Sequence, residues 1–159
     1  MAEFSHFDEQ GRTRMVDVDA KPVTERIARA SARTSMNPDT LLRIKERDFA
    51  KGDVLEVARL AAIMGAKETS RLIPLCHPIP LSSVEIDFSF PDNSTVRVEA
   101  TVRVSAKTGV EMEAMTAVTV ASLTIYDMCK SADRQIVIGS VQLEEKTGGK
   151  SGHFIRSTA

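Results

Sequence analysis

Two stretches of the chain alternate apolar and polar side chains so regularly that a β-hairpin is the natural way to accommodate them. Val84, Ile86, Phe88 and Phe90 fall on one side of an extended backbone, with Glu85, Asp87 and Ser89 on the other. Val96, Val98, Ala100, Val102 and Val104 repeat the pattern. Pro91-Asp92-Asn93-Ser94 between them supplies residues suited to the turn.

The remaining segments build around that hairpin. Residues 25–34 (ERIARASART) also alternate, placing Ala28, Ala30 and Ala32 opposite Arg29, Ser31 and Arg33, and alanines of this size let another layer approach closely. Asn37-Pro38-Asp39 reads as a helix start, with Asn37 at the N-cap, Pro38 at the first helical position and Asp39 favoured by the helix dipole, and it predicts a short helix to about Arg47. A longer helix is expected from Asp53 to about Leu72, where Val54, Val57, Ala58, Ala61 and Met64 or Gly65 recur at helical steps and Pro74, Pro78 and Pro80 forbid continuation. A third helix fits 109–131, and a last strand fits 135–144 with a bulge at Gly139-Ser140.

The order strand, helices, strand, strand, helix, strand predicts an α+β protein of ferredoxin-like type, an antiparallel sheet with two long helices on one face. Residues 1–14 read as a flexible tail, 15–145 as one domain and 146–159 as a basic, glycine-rich tail. The open face of the sheet must be solvated or covered, and the small residues of 26–34 invite another subunit, so a homo-oligomer is expected.

Charge excludes some functions. Lysine plus arginine (21) nearly balances aspartate plus glutamate (22), so no global field draws the chain to nucleic acid or an anionic membrane, and anion binding must be local. Aromatics are 4% of residues and tryptophan is absent, which removes the stacking platforms of single-strand binders. The absence of a signal-like apolar run near the start, or of a span approaching ~20 apolar residues, leads to a cytoplasmic expectation. Cys76 and Cys129 are too few and too far apart for a disulfide framework.

Five short motifs carry chemistry. Lys51-Gly52-Asp53 lies between two helices, where amides and a lysine can face an anion, although a solvated lysine looks the same. Leu75-Cys76-His77-Pro78 holds a histidine in a restrained loop, available for proton transfer or for a capping role. Cys76 and His77 are adjacent, a poor arrangement for zinc, and no metal site is expected. Lys107-Thr108-Gly109-Val110-Glu111-Met112-Glu113 brings two carboxylates to a helix start. Asp127 and Lys130 share a helical face as either a surface ion pair or a tuned acid–base couple. Lys146-Thr147-Gly148-Gly149-Lys150-Ser151-Gly152 offers flexible amides, hydroxyls and two cations suited to phosphate, but Glu144 occupies the position of a P-loop's first glycine.

Taken in order, these five motifs resemble those of the cyclic pyranopterin monophosphate synthase (MoaC) family of molybdenum cofactor biosynthesis, over about residues 14–153. The resemblance implies a lyase that converts (8S)-3',8-cyclo-7,8-dihydroguanosine 5'-triphosphate, the product of a radical enzyme, into cyclic pyranopterin monophosphate and diphosphate. It implies no metal or organic cofactor, and a homohexamer built as a trimer of dimers with sites between subunits. Position by position, Asp127 matches the family's active-site aspartate, Lys51 and Lys130 match lysines of proton transfer, and His77 joins them as a catalytic candidate. Leu75, Cys76, His77, Met112 and Glu113 match substrate contacts, while Lys21, Arg26, Lys146 and Lys150 match the triphosphate site. A non-catalytic ferredoxin-like module that binds nucleotides is the competing expectation, because fold alone does not fix function.

Overall fold

A computed structural model describes residues 6–8 and 10–157, so parts of both segments read as tails (1–5, 9 and 158–159) lie outside the described residues. Strands β1 (Thr24–Ser35), β2 (Ser83–Ser89), β3 (Thr95–Ala106), β4 (Val137–Thr147) and β5 (Phe154–Ile155) form one antiparallel sheet in the order β2-β3-β1-β4-β5. The helices are α1 (Pro38–Lys45), α2 (Val54–Lys67), α3 (Thr69–Leu72) and α4 (Glu111–Cys129). This is the expected ferredoxin-like arrangement. Helix α4 lies over β1, β3 and β4, and α2 packs beside it and over β2.

The hairpin forms in the register its alternation requires, with Val84 opposite Val102, Ile86 opposite Ala100 and Phe88 opposite Val98. The alanines of β1 share that face: Ala30 pairs with Ala100, and Ala28, Ala30 and Ala32 are fully buried under α4. The close-approaching layer is therefore the chain's own helix, which corrects the idea that these alanines invite another subunit. The opposite face of the sheet carries ion pairs instead. Arg29 bridges Glu99 and Glu145, each at 3.2 Å, and Arg97 bridges Glu99 (2.6 Å) and Glu144 (3.2 Å).

Two elements differ in extent from the sequence reading. The helix expected over 53–72 breaks at Glu68, whose backbone (φ −98°, ψ 5°) leaves the helical region, and the Thr69 hydroxyl donates to the carbonyls of Gly65 and Ala66 across the break. Strand β4 bulges at Gly139-Ser140 as expected, with Ser140 at φ 50°, but it shifts register again near Glu144 and runs on to Thr147. Lys146 and Thr147, read as tail, are thus sheet residues, and β5 pairs back onto Glu145 and Lys146.

Asn37 occupies the N-cap of α1 but makes no side-chain cap; the buried carboxylate of Asp133 does the work from far along the chain. It accepts from the Asn37 and Gln135 amides (both 2.8 Å) and from the Thr40 hydroxyl (3.3 Å), and the first of these bonds leads in holding its pKa below the usual carboxylate range. Asp133→Ala leaves these donors unpaired in the interior. Urea unfolding is expected to show a loss of about 2–4 kcal/mol, with Asp133→Asn losing less. No helix among the described residues is long and apolar enough to cross a membrane.

Candidate active site

The N-terminal end of α4 opens onto two adjoining cavities. The larger, about 560 Å³, is built from the start of β1 (Thr24, Arg26), the loop before it (Lys21), the β3–α4 loop (Lys107, Thr108, Gly109) and the turn after β4 (Lys146 to Ser151). Topology explains the gathering: β1, β3 and β4 are neighbours in the sheet, so the beginning of one strand lies beside the ends of the other two. Lys21, Arg26, Lys146 and Lys150, separate in sequence, here line one basic cavity.

Arg26 is the most constrained member. Its Nη2 donates to the Lys107 carbonyl at 3.2 Å, while its Nε and the Thr24 hydroxyl are buried without a partner among the described residues. Buried unpaired donors carry a desolvation cost that an anionic ligand would remove. Gly149, at φ 77°, closes over the guanidinium so tightly that a Cβ there would collide with Arg26 Nη1. Gly149→Ala is therefore expected to cost about 1–3 kcal/mol through its left-handed backbone and the collision. By displacing Arg26 it should also weaken diphosphate binding about tenfold in calorimetry, equivalent to about 1.4 kcal/mol.

The second cavity, about 370 Å³, shares Lys21, Thr108, Gly109 and Glu111 with the first. Leu75, Cys76 and His77 enter it from the loop before β2, and Met112 and Glu113 from the first turn of α4. Glu113 is only 4% exposed, and burial, with the Glu111 charge adding, pushes its pKa up to about 7. Burial, with the Glu113 charge adding, also pushes the Cys76 thiol up. A carboxyl poised near neutrality is suited to taking or giving a proton.

Lys51, Asp127 and Lys130 gather elsewhere. Lys130 Nζ lies 2.6 Å from Asp127 Oδ1, and Lys51 Nζ donates to the Asp127 carbonyl at 3.1 Å and stands 3.8 Å from Oδ2. Hydrogen bonding from Lys130, then the charges of Lys130 and Lys51, hold the Asp127 pKa below its usual value. The same pair raises Lys130, so the expected tuning of this lysine toward neutrality is not what the single chain does. Asp127 holds Lys130 as a cation here. Fourteen helical positions, about 21 Å, separate Glu113 from Asp127 along α4.

The sequence reading had not singled out Lys107 or Thr24 as contributors to the basic cavity. Lys107 stood in a quoted motif whose carboxylates drew the attention; Thr24 carried no signal of its own. Among the described residues no three His, Cys, Asp or Glu side chains gather as a metal site.

The profile of the MoaC family matches residues 15–149, a span that contains every site residue expected from the sequence except Lys150. The chain belongs to the MoaC family. A relative in Magnetococcus marinus, named cyclic pyranopterin monophosphate synthase, is 60% identical over 158 residues, covering 98% of this chain and 96% of its own length. Relatives of the same name in Desulfitobacterium hafniense and Brevibacillus brevis are 55% and 54% identical, each over 154 residues and 97% of this chain, covering 94% and 96% of their own lengths. In this MoaC chain the five motifs thus fall into two groups, three around the cavities at one end of α4 and two at the other.

Proposed function

We propose that the chain is a cyclic pyranopterin monophosphate synthase, a lyase that converts (8S)-3',8-cyclo-7,8-dihydroguanosine 5'-triphosphate into cyclic pyranopterin monophosphate and diphosphate. The observation that carries this reading, beside family membership, is a basic cavity that shares a wall with a second one lined by Glu113, His77 and Cys76. A triphosphate needs several fixed cations, and the purine-derived ring system needs an adjoining pocket with proton-transfer groups.

In this reading Lys21, Arg26, Lys146 and Lys150 hold the triphosphate, with Lys107 beside them. A sugar hydroxyl attacks the α-phosphorus, forming the cyclic phosphate as the bond to the β-phosphate oxygen breaks and diphosphate leaves. Lys51, Lys130 and Asp127, with His77 and Glu113, move the protons that open the five-membered ring and build the pterin. A cluster about 21 Å from Glu113 cannot reach the same small molecule within one chain, which favours sites completed by two copies. The homohexamer of three dimers, the cytoplasmic location and the link to the radical enzyme that supplies substrate belong to this proposal.

Turnover separates the lyase from a module that only binds nucleotides. Incubation with the cyclised dihydroguanosine triphosphate should release diphosphate and the cyclic pyranopterin in equal amounts. Stoichiometric binding without either product would overturn the assignment.

A further inference from the structure

The described residues of the N-terminal segment, 6–8 and 10–14, form a turn held by one carboxylate. Asp8 Oδ1 accepts from the amides of Gln10 (3.0 Å) and Arg12 (2.8 Å), Oδ2 pairs with Arg12 Nε at 2.8 Å, and the Asp8 amide donates to the Arg12 carbonyl at 2.9 Å. An aspartate that bonds amides a few residues on stands in for backbone turn bonds and fixes the loop. Gly11 completes it at φ 75°, a conformation that a side chain would strain, and donates to the Asp8 carbonyl at 2.9 Å. Phe7 then bridges Thr13, and the Arg14 amide donates to the His6 carbonyl at 2.9 Å, so both arms of the turn are tied at the level of His6.

That tie gives His6 a place at the site. It lines the second cavity with Val16 and Val18 of its own segment and with Cys76, His77 and Glu113. The basic cavity takes no described residue of this segment before Lys21. The turn therefore stands on the side of the site that takes the ring system, apart from the groups that gather phosphate. We infer that His6 is a further substrate-contacting residue, its imidazole meeting the purine-derived ring beside His77 and Glu113, and that the Asp8 turn positions it. An imidazole carries hydrogen-bonding nitrogens on a flat ring, which suits a heterocycle edged with N–H and carbonyl groups. A partner lost inside a cavity costs more than one lost in water, so a single such contact weighs on substrate choice. The identity of the substrate rests on the functional reading; the place of His6, outside the family match at 15–149, rests on the turn and the cavity alone.

Steady-state turnover of the cyclised dihydroguanosine triphosphate separates a ring contact from a phosphate contact. His6→Ala should raise KM about tenfold, while inhibition by diphosphate, which fills the basic cavity alone, stays within about twofold of the parent. His6→Asn, whose amide again offers a donor and an acceptor, should recover much of the loss. Asp8→Ala keeps the imidazole but frees the turn, and should raise KM less than His6→Ala does. An unchanged KM in His6→Ala, or diphosphate inhibition weakened to the same degree as substrate, overturns the inference. A parent that binds the cyclised triphosphate without turning it over removes the functional reading instead. Calorimetric affinities of the same variants for that compound then decide the His6 contact, with equal affinities of parent and His6→Ala overturning it.

Discussion

Lys130→Ala should lower turnover by about 10²–10⁴-fold while leaving the unfolding midpoint almost unchanged. The two expectations come from the same geometry. Asp127, Lys130 and Lys51 have side chains 59%, 51% and 50% exposed, and pairs in that setting add little to stability. A donor lost from a reacting site removes its whole contribution to proton transfer. Lys51→Ala should behave alike, since both ammonium groups converge on Asp127 from different segments. The proposed sharing of each site between two copies gives a sharper expectation: Lys130→Ala mixed with Arg26→Ala and reassembled should recover about a quarter of parent activity. Half the dimers are then mixed, and each has one intact site of two. Near-parent activity of either lysine variant would remove that residue from the chemistry, and no recovery on mixing would place both groups in one chain's site.

The second large effect concerns Glu113. Its pKa stands at about 7 against an ordinary 4.5, so between those values the folded chain keeps a proton that the unfolded chain has released. Stability from this group is therefore full below pH about 4.5, falls as pH rises and is lost above about 7, by on the order of 3 kcal/mol. Glu113→Gln has no such loss. Denaturant unfolding should find it more stable than the parent at pH 8 by that order and indistinguishable near pH 4.5, while turnover drops about 10²-fold or more. Equal stabilities at both pH values would mean that the carboxylate is solvated and not poised for proton transfer.

Local patterning made much of the fold legible. The β2–β3 hairpin, the Asn37-Pro38 helix start, the bulge at Gly139-Ser140 and the order of elements all rest on alternation, turn residues and caps within a few positions of one another. The Glu68 break was missed because a change of backbone angles at one residue leaves the apolar periodicity on either side intact. The Asp133 cap was missed because its partners lie more than ninety residues away.

The candidate site divides in the same way. Residue types and spacing marked Lys51, His77, Asp127, Lys130, Lys146, Lys150 and the carboxylates at 111 and 113 as candidates, each with an ordinary surface or capping reading beside it, and the likeness of the ordered motifs to the MoaC family supplied the expected roles and added Lys21 and Arg26. Their environments were another matter. The helix-start reading gave Glu113 a favourable charge, whereas packing against the Cys76 loop buries it and reverses the expectation. Asp127-Lys130 was an ion pair in both readings, but only the fold brought Lys51 to it and put the length of α4 between that cluster and the basic cavity. The sequence by itself determined which side chains were available and which local elements could form, since short-range sterics and periodicity act between near neighbours. Burial, cavity lining and the separation of the two ends of the site were decided by tertiary structure, because they arise from contacts between segments whose distance along the chain carries no record of their distance in space.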